Sequence, residues 1–216
     1  MFKSLVINKD DSQGYHTDVK ELNEADLQDG DVLIKVLYST INYKDALAIS
    51  GKAPVVRRFP MIPGIDLVGV VEQCDNSKFV VGQHVLLNGY GVGEKYLGGL
   101  SQKARINSEF LIPLPKSITP FNAMAIGTAG YTAMLSVMAL EKQGITPESG
   151  SILVTGATGG VGSFAIRILA ELGYSITAST GSTKQAAYLK QLGANEIIDR
   201  AELSAPGKPL MKERWA

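Results

Sequence analysis

The stretch Val154-Thr-Gly156-Ala-Thr-Gly159-Gly160-Val-Gly162 limits the fold of this chain more than any other. The apolar run Ser151–Thr155 precedes it, and residues 163–172, apolar on most faces, follow it. A glycine-rich turn between a buried strand and a helix lets a pyrophosphate approach the backbone where a Cβ would block it. The helix N-terminus then offers unpaired N–H groups and the positive end of a dipole. The register is shifted from G-x-G-x-x-G: Ala157 stands at the first glycine position, and Gly156 comes one place earlier. An ordinary glycine-rich turn is the alternative; the flanking strand and helix favour dinucleotide binding.

The pattern after the turn predicts strands at 174–179 and 196–199, separated by an amphipathic helix over 183–192 that Gly193 ends. Strand–helix–strand–helix–strand implies a right-handed, doubly wound parallel sheet. An NAD-specific site wants Asp or Glu at the end of the second strand, about 20 residues further on, to bind the ribose diol. This chain has Ala178-Ser-Thr180-Gly181-Ser182-Thr183-Lys184 there, without a carboxylate. Hydroxyls and a cation suit a 2′-phosphate, and Arg200 adds a second charge, so NADPH is expected over NADH. The alternative is that Lys184 and Arg200 are simply solvated.

The first half reads as short strands: Leu5–Ile7, Val32–Tyr38, Leu67–Val71 and Val85–Leu87, with weaker candidates at 98–106 and 110–114. Asp29-Gly-Asp31, Pro63-Gly64 and Val81-Gly-Gln83 punctuate them. A partly open barrel is expected. The boundary between the halves falls near 115–121, giving domains 1–118 and 119–216.

Composition closes off several classes of function. Lys+Arg and Asp+Glu each number 21 in 216 residues, so no basic footprint points to nucleic acid. Cys74 is the sole cysteine, which excludes an intrachain disulfide and a cysteine-rich zinc site. It is expected to close a strand. The N-terminal apolar run is too short for a signal peptide. Residues 117–140 carry no charge over a length that spans a bilayer. Pro120, Asn122, Gly127, Thr128, Gly130, Thr132 and Ser136 argue instead for two buried helical pieces around a Gly-Thr-Ala-Gly break, and no membrane is expected. His16 and His84 are expected in surface turns.

Five segments carry a family resemblance: 41–52 (INYKDALAISGK), 59–66 (FPMIPGID), 89–99 (GYGVGEKYLGG), 125–140 (AIGTAGYTAMLSVMAL) and the turn at 156–162. On them the chain resembles the medium-chain dehydrogenase/reductase superfamily, and within it the NADPH-dependent acryloyl-CoA reductases, often called quinone oxidoreductase-like. The resemblance implies an α/β chain: a GroES-like β-rich catalytic domain followed by an incomplete Rossmann doubly wound parallel sheet. It implies a cytoplasmic enzyme acting on a small unsaturated acyl-CoA or enone, dimeric as a full-length family member. It places Tyr43 and Thr128 near the nicotinamide. Gly159, Gly160, Val161, Gly162, Ser163 and Phe164 would hold the pyrophosphate, and Thr180, Gly181, Ser182, Lys184 and Arg200 would surround the adenosine end. Zinc-dependent relatives carry Cys where Asn42 stands and His-Glu where Ile65-Asp66 stands, so metal-free hydride transfer is expected.

For the chemistry, Tyr43 is the candidate for positioning or proton donation, with Asp45 beside it. Two alternatives stay open: Tyr43 only packs on the nicotinamide, and Asp45 caps a helix. Arg57 and Arg58 either meet the phosphates of coenzyme A or are solvated. Family members continue past Trp215-Ala216, so the second mononucleotide half and the segment that completes the catalytic domain are expected to be missing. A fourth parallel strand is expected to begin at residues 209–216. Three functions follow from this reading: an acyl-CoA reductase seen in part, a quinone or enone oxidoreductase, or a non-catalytic remnant.

Overall fold

The computed structural model describes residues 1–216 except 13, 205, 206 and 208–211. Contacts divide the chain into two units, Met1–Thr128 and Ala129–Ala216.

The first unit is built from antiparallel strands. β1 (Phe2–Asp10) and β2 (Gly14–Leu22) form a hairpin. β3 (Val32–Ser39), β4 (Asp66–Cys74), β5 (His84–Asn88), β6 (Lys103–Ile106) and β7 (Ile112–Pro113) form one open sheet in the order β6-β3-β4-β5-β7. Alternation along β3 sends Val32 and Ile34 into a core with Leu67, Val71, Val85, Leu87, Ala104 and Ile106. Cys74 closes β4, as expected from the sequence.

Several expectations for this unit need correcting. Residues 98–102 form no strand, though Ser101 makes an isolated bridge to Ser4; the strand is Lys103–Ile106, and Phe110 lies in a 3-10 turn. β2 went unforeseen because its sequence, GYHTDVKEL, is polar on an exposed strand with weak alternation. His16 and His84 lie in β2 and β5 rather than in turns, and His16 sits 3.6 Å from Asp18 and 3.8 Å from Asp10.

A short helix, α1 (Tyr43–Ser50), follows β3. Asn42 and Asp45 form a reciprocal capping box at its start, and Gly51 ends it. α2 (Pro120–Lys142) carries non-helical backbone at Gly127, φ 49° and ψ −159°, so it is two helical pieces joined at a break. It is long and apolar enough to cross a membrane by length and composition. The break takes backbone groups out of the helical ladder, and the carboxylate of Asp66 takes up one of them.

The second unit holds β8 (Ser151–Val154), β9 (Ser175–Thr180) and β10 (Glu196–Asp199), parallel and in the order β10-β9-β8. α3 (Gly160–Glu171) connects β8 to β9, and a 3-10 turn plus α4 (Ala186–Leu192) connects β9 to β10. α5 (Ala201–Ser204) follows. The core joins Ile152, Val154, Ile166, Leu169, Ile176, Ala178 and Leu189. β9 is buried almost throughout, as the middle strand of a parallel sheet must be. The strand expected to begin at 209–216 falls partly on residues 209–211, outside the described residues.

Candidate functional site

The sequence-predicted site residues fall into two groups, one in each unit. In the second unit, β8 leads into a turn where Gly156 has φ +59° and Gly159 becomes the N-cap of α3. The first helical hydrogen bond runs from Ser163 N–H to Gly159 O at 2.9 Å. The N–H groups of Gly160, Val161 and Gly162 precede it and have no intrahelical acceptor. No side chain caps this helix, and its first turn holds no acidic residue. α1, by contrast, satisfies its own N-terminus through Asn42 and Asp45. The N-terminus of α3 is therefore open to an anionic ligand.

Close packing holds the turn. A Cβ on Gly162 would lie 2.5 Å from Gly156 O and 2.8 Å from Ala157 Cα. Ser163 Oγ donates to Ala157 O at 3.4 Å, and Ala157 N–H donates to Ser179 O at 3.2 Å. Val161 is exposed and Phe164 half-buried.

The end of β9 forms a second cluster. Thr180 Oγ1 accepts the N–H of Ser182 at 3.1 Å, and Arg200 N–H donates to Thr180 O at 3.0 Å. The Arg200 side chain lies across Gly181, where a Cβ would come within 2.8 Å of its Nε. A side chain at position 181 would displace the guanidinium. Lys184 is exposed in the 3-10 turn after Ser182. Among the described residues, neither Lys184 nor Arg200 makes an ion pair. Two unpaired cations and two hydroxyls, with no carboxylate on β9 or in the turn after it, fit a phosphate on the 2′ position of an adenosine ribose; Asp199, which pairs in register with Thr180, accepts the N–H of Ala201 at 2.8 Å.

In the first unit the two catalytic candidates differ in setting. Tyr43 is 81% exposed at the start of α1. Asp45 is buried, and its oxygens take three backbone donors: Asn42 N–H at 2.8 Å, Ile65 N–H at 3.1 Å and Gly64 N–H at 3.2 Å. Burial pushes its pKa above the usual carboxylate value, and the hydrogen bonds oppose that shift in part. Both oxygens are committed to the main chain, so Asp45 is a structural cap that fixes the 63–65 loop against α1. Of the roles left open for it, the cap is the one this geometry favours. Arg58 donates to Gln28 Oε1 at 3.0 Å rather than standing free.

Asp66 is only faintly marked in the sequence. It opens β4 and is wholly buried, yet among the described residues it makes no ion pair. The ends of β3 and β5 and the start of β4 meet here, since Asp66 pairs with Asn88 and Leu67 with Ser39. Thr40, Asn42, Asn88 and Thr128 all donate to its carboxylate. Its sequence signals were a charged residue opening an apolar run and its place, with Ile65, where zinc-dependent relatives carry His-Glu. Among the described residues, no three His, Cys, Asp or Glu side chains are grouped to hold a metal ion.

Comparison with known proteins agrees with both units. Residues 28–116 match the alcohol dehydrogenase GroES-like domain. The acrylyl-CoA reductase AcuI of Ruegeria pomeroyi is 49% identical over 218 residues, covering 100% of this chain and 66% of its own length. The YhdH oxidoreductase of Salmonella enterica, solved in complex with NADP, superposes with a TM-score of 0.94 at 48% identity, over 99% of this chain and 65% of that one. The putative quinone oxidoreductase YhfP of Bacillus subtilis is 45% identical over 100% of this chain and 65% of its own length. Its structure, with NAD bound, gives a TM-score of 0.93. The chain thus spans about two thirds of the length of these relatives. By sequence along its whole length and by fold in both units, the chain belongs to the medium-chain dehydrogenase/reductase family, in the group of acrylyl-CoA reductases and their quinone oxidoreductase-like relatives.

Proposed function

We propose that this chain is the greater part of an NADPH-dependent reductase of α,β-unsaturated acyl-CoA, converting acryloyl-CoA to propanoyl-CoA. One observation carries the cofactor: an uncapped, acid-free helix N-terminus next to two unpaired cations at the end of β9. The substrate class rests on the names of the relatives, one of them an acrylyl-CoA reductase. In this reading the domains are 1–118 and 119–216, and the enzyme is cytoplasmic, with a homodimer expected of the full-length family member rather than of this chain.

When bound, NADPH would supply the hydride for the β-carbon of the thioester. The protein binds and orients. N–H groups of Gly160, Val161 and Gly162 take the pyrophosphate, with Gly159 and Gly162 keeping the backbone clear and Ser163 and Phe164 flanking it. Ser182, Lys184 and Arg200 take the 2′-phosphate beside Thr180 and Gly181. By the family resemblance Tyr43 and Thr128 are the candidates for the nicotinamide end, where Tyr43 would orient the substrate or donate a proton at the α-carbon. The test compares NADPH oxidation with acryloyl-CoA and with a benzoquinone. Faster turnover of acryloyl-CoA supports the reading; preference for the quinone overturns it in favour of a quinone reductase. Failure to bind NADPH at all leaves a non-catalytic remnant.

A further inference from the structure

Among the described residues, Tyr90 is the one residue other than glycine whose φ is positive, at 54°. It lies in the loop 89–99, between Gly89 and Gly91, which occupy the same left-handed region. There a Cβ crowds the following carbonyl oxygen, a cost that glycine avoids. The backbone around Tyr90 is tightly held. Gly89 N–H donates to Ile65 O at 2.8 Å, and the N–H groups of Lys95 and Tyr96 both donate to Gly91 O, at 2.8 and 3.1 Å. Strained backbone of this kind collects at ligand sites.

The ring has one internal partner. It stacks on Phe110 with centroids 5.0 Å apart and planes 15° from parallel, and Tyr96 leans on the same phenyl at 5.5 Å. Phe110 packs in turn against the core of the first unit. An aromatic stack contributes an energy of the same order as the left-handed backbone costs a residue with a Cβ. The stack therefore gives little reason to prefer tyrosine to glycine at position 90. Tyr90 is 59% exposed, so the face turned away from Phe110 is open to solvent.

Charge beside the ring points to the ligand. Lys95 crosses the turn next to Tyr90, since a Cβ on Gly91 would lie 3.7 Å from its Cδ. Arg57 joins the same loop through its N–H, which donates to Glu94 O at 2.9 Å. Both cations are exposed and, among the described residues, make no ion pair. The two nearest carboxylates in sequence are already held, Glu94 by Lys44 Nζ at 2.8 Å and Glu109 by Lys78 Nζ at 2.9 Å. An open aromatic face beside unpaired cations suits a planar base that carries phosphate. The Lys44–Glu94 pair also sets this loop against the first turn of α1, where Tyr43 stands.

We infer that Tyr90, backed by Phe110, is a platform for the adenine ring of an acyl-coenzyme A, with Lys95 and Arg57 taking its phosphates. The inference rests on the acyl-CoA reading above and deepens it by naming where the nucleotide end of that substrate binds. A benzoquinone carries no phosphate and gives these cations nothing to hold.

The experiment measures binding by calorimetry in saturating NADP, with coenzyme A and with pantetheine, which lacks the nucleotide. The wild-type protein should bind coenzyme A at least about tenfold more tightly. Tyr90→Gly removes the ring and the strain together. It should weaken coenzyme A about tenfold, the loss of one base–aromatic stack, and leave pantetheine unchanged. Its Tm should equal or exceed that of the wild type. Tyr90→Phe keeps the stack and should bind coenzyme A as the wild type does. Lys95→Ala should weaken coenzyme A but not pantetheine. Equal wild-type affinity for the two probes overturns the inference alone, as does wild-type affinity for coenzyme A in Tyr90→Gly. A lower Tm in Tyr90→Gly, with both probes weakened in proportion, assigns the ring to holding the loop and also overturns it. If the wild-type protein binds neither probe, the acyl-CoA reading falls, and the inference with it.

Discussion

Replacing Gly162 by alanine isolates the contact on which the cofactor turn depends. The new methyl would sit 2.5 Å from Gly156 O, 2.8 Å from Ala157 Cα and 3.0 Å from Gly156 C, all backbone atoms of the turn itself. None of these can move aside as a flexible side chain would, so α3 must shift away from the turn that follows β8. Overpacking of this kind costs about 1–3 kcal/mol. Alanine in a helix returns up to about 1 kcal/mol relative to glycine. The net destabilisation is then about 1 kcal/mol, a fall in Tm of a few degrees. Binding should suffer more, because the shift moves the N–H groups of Gly160, Val161 and Gly162 out of register with the pyrophosphate. A tenfold loss of NADPH affinity corresponds to about 1.4 kcal/mol. Gly160→Ala is the control within the same turn, since its Cβ would meet only the Ala129 methyl, at 3.2 Å. Calorimetric titration with NADPH and thermal melting of both variants make the comparison. If Gly162→Ala binds as wild type and melts higher, the close-approach reasoning is wrong.

Three other outcomes follow from the same structure. Arg200→Ala should weaken NADPH binding about tenfold or more while leaving NADH unchanged, because the lost partner is a charge-assisted contact to the 2′-phosphate; titration with both nucleotides checks this. Tyr43→Phe should retain most turnover if Tyr43 orients the substrate, whereas a loss of a hundredfold or more in kcat would assign it the proton. Asp31 accepts the N–H and hydroxyl of Ser108 at 2.6 and 2.7 Å, as well as Asn76. Burial alone would raise its pKa, but the Ser108 and Asn76 hydrogen bonds outweigh burial and hold it below the usual value. A lowered folded-state pKa gives stability that is complete above the unfolded value and lost as pH falls through the folded one. Asp31→Ala should therefore lower Tm at neutral pH, and the gap from wild type should narrow as acid protonates Asp31; melts across that range test the sign.

How much was legible in the sequence depended on distance along the chain. The cofactor turn could be read because its glycines, strand and helix are contiguous, and the missing carboxylate after β9 is likewise local. Gly193 could be read as a helix stop and takes φ +116° as one. Asn42-Tyr-Lys-Asp45 carried the spacing of a capping box, so the cap on α1 was within reach. The Asp66 network was not. Its donors stand 22 to 62 residues away, at 42, 40, 88 and 128, and only the register of β3, β4 and β5 brings them together. β2 was hidden for a different reason: most of its side chains are partly or fully exposed, leaving no apolar alternation to detect.

Transfer of label tests the central claim most directly. Acryloyl-CoA is incubated with the protein and NADPH deuterated at the transferable position, and the product is analysed by mass spectrometry. The account predicts propanoyl-CoA carrying a single deuterium on its β-carbon. Absence of labelled propanoyl-CoA, while the same NADPH is consumed by a benzoquinone, would contradict it.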